Sequence, residues 1–341
     1  MRIARYGIWI TAAVAAAWTG GCQQEPSSST KAIDYYVNAQ MHADKEDYET
    51  ALAELRRAIN ADPSMSVAYT AAGDIYRKQG DYEMAKRNYE SAVKANPYAF
   101  KPHYNLGVVY QALSEAAKTV DAVQEYLTKA VKVYLRALTI KSNDFDANLN
   151  LSVCYFELGK DNLAEQYCKT AIELDPRNAA ARSNLGLIYD FQGQYSKAIA
   201  AYNDSLELDS HQPRILLNLG STYMRQQRWA RAIHAFELAA AEMPGDSAPF
   251  EQIGACRFQQ NELDLSAQAY AKAVELNGKS AAAHRGLGIV LMTQFNQDRS
   301  KTDLRDKALE AWHRSLELRP TQDDLVKLIE KYQPKPKTPE L

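Results

Sequence analysis

The sequence is poor in the features that reaction chemistry needs. It contains no glycine-rich phosphate loop, no nucleophile motif and no metal-ligand spacing. The six histidines, His42, His103, His211, His234, His284 and His313, stand apart from one another and read as structural or surface residues. Catalytic residues, a metal, a cofactor and a small-molecule substrate are therefore all expected to be absent. Basic residues do not exceed acidic ones: 40 Lys and Arg against 42 Asp and Glu give a formal charge of −2, with no basic patch. That removes the electrostatic reason to expect a nucleic-acid partner. Glycine is also scarce, at 15 in 341 residues. What is abundant is alanine, tyrosine and charge, the composition of helices with one face in water.

The N-terminus carries Arg2 and Arg5 and then an uncharged, largely apolar stretch from Tyr6 to Gly21. That stretch falls short of the roughly 20 residues that span a bilayer and reads as an export signal over residues 1–21. It ends Thr19-Gly20-Gly21-Cys22, which resembles the bacterial lipobox, with Thr19 where that family usually has leucine. The resemblance implies that Cys22 is lipidated and becomes the mature N-terminus, followed by a loose linker over 22–31. It also implies a tether in a bacterial envelope, and Gln23 in place of an aspartate favours the periplasmic face of the outer membrane. A plain cleaved signal and an uncleaved anchor remain open alternatives, and both export the chain.

From residue 32 on, one pattern returns every 34 residues. A small residue recurs in a first helix at Ala39, Gly73, Gly107, Ser152, Gly186, Gly220, Gly254 and Gly288. Three residues later a ring follows at Tyr76, Tyr110, Tyr155, Tyr189 and Tyr223, expected to fill the space that the small slot opens. A second helix carries small slots such as Ala164, Ala198 and Ala232, and four residues on a bulky series, Leu55, Tyr89, Tyr134, Cys168, Tyr202, Phe236, Tyr270 and Trp312. Prolines 63, 97, 176, 244 and 320 close hairpins. Period and slots resemble the tetratricopeptide repeat. The fold implied is all-α, a right-handed α-solenoid of eight helical hairpins over 32–65, 66–99, 100–144, 145–178, 179–212, 213–246, 247–280 and 281–321. A capping helix over 322–332 and a loose tail over 333–341 follow.

Two repeats are stretched. Tyr110 and Ala130 are 20 apart where Tyr76 and Ala85 are 9 apart, 11 extra residues or close to three helical turns. Asp121 with Gln124 is a candidate cap for the lengthened helix. Leu291 and Ala308 are 17 apart, 8 extra, and residues 296–306 read as a polar loop. Cys154 and Cys256 fall in the slot of Ile188 and Val290, where free cysteine acts as a small hydrophobe. A Cys154–Cys168 bridge within one hairpin stays open.

The family resemblance implies that first helices line a concave groove. Two residues before the small slot stand Asn105, Asn150, Asn184, Asn218 and Gln252, a candidate ladder of amides that would grip the main chain of an extended peptide. It is similar to the asparagine ladder of O-linked N-acetylglucosamine transferases. A local hydrogen-bonding role for the same asparagines stays open. Beside the ladder lie Val108, Val153 and Leu187 and, one turn on, Phe156, Met224 and Phe258. The expected function is a lipid-anchored scaffold that binds envelope proteins through extended segments. The alternatives are a non-catalytic recruiting subunit of an enzyme such as a protein glycosyltransferase, and a pilotin-like assembly factor.

Overall fold

The computed structural model describes residues 28–333; residues 1–27, which include the expected export signal and Cys22, and residues 334–341 lie outside the described residues. The chain divides into two compact units, one through Pro97 and one from Tyr98 on. The first holds two hairpins, α1 (Ser28–Ala43) with α2 (Tyr48–Ala61) and α3 (Ser66–Lys78) with α4 (Tyr82–Ala95). The second begins with α5 (Phe100–Ala116) and α6 (Val120–Ile140), α7 (Phe145–Glu157) and α8 (Asp161–Leu174), and α9 (Ala179–Phe191) and α10 (Tyr195–Leu208). It continues with α11 (Pro213–Arg225) and α12 (Trp229–Glu242), α13 (Ala248–Gln259) and α14 (Leu263–Leu276), α15 (Ala281–Gln297) and α16 (Thr302–Leu318), and ends on α17 (Asp323–Tyr332). Each second helix of this unit packs on the next first helix, and the first helices also touch one another in order. This is the expected all-α stacking of hairpins, closed by α17.

Six of the eight hairpins turn through one residue in the left-handed region. Gly80, Gly159 and Gly193 take it at φ 77°, 68° and 72°, and Glu46, Gln227 and Asn261 occupy the same repeat position at φ 60°, 57° and 61°. The helices that follow start on capping side chains in several hairpins: Asp47 accepts from the Thr50 amide and Asp81 from the Met84 amide.

The space above each small-slot glycine is filled from the opposite helix, not by the ring three residues on. A Cβ at Gly186 would stand 2.6 Å from Tyr202, and one at Gly220 would stand 2.5 Å from Phe236. Both rings are fully buried. A residue three positions from a glycine points about 60° away from it around the helix, so the first-helix tyrosines sit at the hairpin edge instead. Tyr155 stacks on Tyr167 at 5.6 Å, and the Tyr189 hydroxyl donates to Glu165 Oε1 at 3.3 Å. The buried slots behave as expected for cysteine: Cys154, Cys168 and Cys256 are free and fully enclosed. Burial pushes the Cys154 and Cys168 thiols up to about 12, so they stay protonated and unreactive at neutral pH.

Three expectations need correction. Residues 28–31, expected in the linker over 22–31, belong to α1, which starts at Ser28 and buries Ala32; the rest of that expected linker lies outside the described residues. The 11 extra residues divide into four on α5 and seven on α6, since these helices run 17 and 21 residues where α9 and α10 run 13 and 14. Thr119, not Asp121, caps α6, accepting from the Ala122 amide at 3.3 Å. Residues 296–306 are mostly helical: α15 continues to Gln297 and α16 begins at Thr302. Only Asp298, Arg299, Ser300 and Lys301 form the connecting turn; the flanking residues of the stretch lie on the two helices.

Candidate partner-binding groove

The five ladder positions fall on consecutive first helices, α5, α7, α9, α11 and α13, all inside the second unit. Their surroundings differ. Asn105 is buried at 6% exposure, which takes it out of a surface that an extended peptide reaches. Asn150 is half-buried, and its Nδ2 donates to the Tyr104 hydroxyl at 3.4 Å. Asn184, Asn218 and Gln252 are also half-buried, and among the described residues their side-chain amides have no hydrogen-bond partner in the chain. A half-buried amide with unmet donors and an acceptor favours a ligand that supplies both, which is what peptide main chain offers.

A neighbouring asparagine also has a local role. Asn148, at 2% exposure, donates from Nδ2 to the carbonyls of Ser142 and Asp144 and pins the entry to α7. The apolar positions Val108, Val153, Leu187, Phe156, Met224 and Phe258 are all half-buried. Met224 packs against the core around Tyr223 and Phe236.

Sequence spacing alone does not reveal the seam between neighbouring first helices. Phe156 of α7 meets Phe191 of α9 edge-on, with ring centroids 4.9 Å apart and planes at 88°, and Phe191 is 67% exposed. One hairpin on, Asp190 of α9 pairs with Arg225 of α11 and accepts from the Thr222 hydroxyl at 2.9 Å. The Asp190 carboxylate is 6% exposed, whereas 48% of the Arg225 side chain is open to water. Phe191, Asp190 and Arg225 join the candidate groove residues, and the 34-residue comparison misses them.

Among the described residues no group of three or more His, Cys, Asp or Glu side chains is placed to hold a metal ion. Among the same residues no helix is long and apolar enough to cross a membrane.

Comparison with known proteins agrees with the architecture. A family model described as TPR repeat matches residues 73–114, and two described as Tetratricopeptide repeat match residues 143–210 and 183–248. Protein bimA of Emericella nidulans is 25% identical over 186 residues, 50% of this chain and 21% of that protein. The CTR9 homolog of Arabidopsis thaliana is 30% identical over 142 residues, 40% of this chain and 12% of that protein. The chain thus spans about a fifth or less of these curated relatives. The crystal structure of a tetratricopeptide repeat protein from Parabacteroides merdae shares the fold, with a TM-score of 0.53 at 19% identity over 76% of this chain and 99% of that one. Glycine slots roofed by second-helix rings, hairpins stacked in order and three matching family models together show that this chain is built of tetratricopeptide repeats.

Proposed function

We propose that the chain is a scaffold that holds an extended segment of a partner protein against the first helices of its second unit, while lipid on Cys22 tethers it in a bacterial envelope. The observation that carries this reading is the run of half-buried amides, Asn184, Asn218 and Gln252, whose donors and acceptors are unmet within the chain. Amides grip main chain without reading sequence, so they set where a segment lies and leave selectivity to its neighbours. Asn150 extends the row at one end, and the buried Asn105 serves the fold. Envelope proteins are the partners this reading implies. The scarcity of chemistry-bearing clusters fits a binding role rather than a catalytic one.

The experiment compares envelope crosslinking by the wild-type chain and by the Asn184→Ala, Asn218→Ala double variant. Each lost hydrogen bond weakens capture by about 1 kcal/mol, so the pair should reduce it roughly tenfold or more with helicity unchanged. Equal capture by both would remove the ladder from the mechanism. Replacing Cys22 by serine should release the chain from the membrane fraction and abolish incorporation of a labelled fatty acid; retention with unchanged labelling would sink the tether.

A further inference from the structure

The seam along the first helices repeats one geometry with two chemistries. Phe156 and Phe191 meet 35 residues apart, and Asp190 and Arg225 meet 35 residues apart one hairpin later. The exposed members, Phe191 and Arg225, hold the same repeat position. Each lies seven residues, or about two turns, beyond a ladder amide on the same helix face, Asn184 for Phe191 and Asn218 for Arg225. An amide and a distinctive side chain therefore stand together on α9, and again on α11.

Phe191 leaves about two thirds of its surface in water while its edge contact with Phe156 holds the ring in place. A fixed, exposed ring is suited to covering an apolar side chain. Arg225 gives part of its planar fork to the buried Asp190 carboxylate, which also orients it. About half of that side chain faces solvent, leaving outward N–H groups that match a second carboxylate. Packed helices lie about 8–10 Å apart, and an extended chain advances about 3.3 Å per residue. One step from Phe191 to Arg225 thus corresponds to about three residues of ligand.

We propose that this seam supplies the selectivity that the amides lack: the segment held in the groove carries a large apolar residue against Phe191 and, three residues away, an aspartate or glutamate against Arg225. The inference rests on the groove reading above and adds the class of sequence recognised.

The probe is a phage-displayed library of random twelve-residue peptides selected on the full chain, followed by fluorescence anisotropy with the enriched consensus peptide. Enriched peptides should carry an aromatic or large aliphatic residue three positions from an acid. Changing that apolar residue to serine, or that acid to its amide, should each weaken binding about tenfold, and the second loss should shrink as salt rises. Phe191→Ala should make the first change silent. The Asp190→Asn, Arg225→Gln double variant, which leaves no buried charge unpaired, should make the second silent; melting curves check that both variants fold. Peptides that bind, and that are lost with Asn184→Ala, Asn218→Ala, but show no spaced apolar-acidic pair would overturn the inference and leave the groove reading intact. A pair preference unchanged in both seam variants would overturn it too. A library that yields no binder on the folded chain would remove both.

Discussion

The third and last hairpins have both been lengthened, by a similar device and to different ends. In the third, α5 and α6 gain whole turns whose base is well packed. Leu127 is 1% exposed, and Tyr110 lies 6.3 Å from the Tyr126 ring. Its tip is open: Val120 is 73% exposed, and Thr119 and Ser114 spend their hydrogen bonds locally. In the last hairpin the added turn of α15 is enclosed. Phe295 joins a core with Met292, Trp312, Leu325 and Ile329, Arg299 and Arg305 lie over its ring, and Asn296 Nδ2 donates to the Tyr332 hydroxyl at 3.0 Å. One extension is absorbed by the capping helix and the other is presented to solvent. The difference teaches that an insertion takes its meaning from what packs on it rather than from its length.

The sharpest way to break this comparison is Phe295→Ala, which should cost about 3–4 kcal/mol through the cavity it opens between α15 and α17, read by urea denaturation. A loss under about 1 kcal/mol would show that the last extension is as dispensable as the first. A smaller effect is expected of Tyr332→Phe, which removes one hydrogen bond to Asn296 and should cost about 1 kcal/mol. Hydrogen exchange should place the loss in α17 and the last turn of α15, and faster exchange elsewhere would contradict the assigned contact. The smallest belongs to the third hairpin: Val120→Ser should stay within about 0.5 kcal/mol of wild type. A larger loss would mean that something covers that tip.

Much of the fold was legible because it depends on residue volume in fixed register. The small slots at Gly186 and Gly220, the bulky slots at Tyr202 and Phe236 and the buried cysteines all follow from a 34-residue comparison. Which ring roofs a glycine was not legible, since Tyr189 and Tyr202 both recur with the period and only three-dimensional direction separates them. The stretch at 296–306 misled for another reason: a polar composition serves a solvent-facing helix as well as a loop, and the support from α17 is remote in sequence. The ladder was visible as a row, but the burial of Asn105 was not. The seam escaped because its contacts join unlike positions of adjacent repeats, at a separation of 35 rather than 34. Comparing equivalent slots aligns Phe156 with Asp190 and Phe191 with Arg225, and so conceals that each meets the other column.

The Asp190–Arg225 contact also bears on how such a chain can change by duplication and exchange of its parts. Hairpins with the same glycine and ring slots look interchangeable, yet the one built from α9 and α10 carries a carboxylate, Asp190, that is almost wholly enclosed and paired with Arg225 of its successor. Moved next to a hairpin without a cation at the Arg225 position, that carboxylate would be left enclosed without its counter-charge, a cost of several kcal/mol. The two hairpins therefore travel as a pair, and an otherwise modular array carries at this junction a fixed word order.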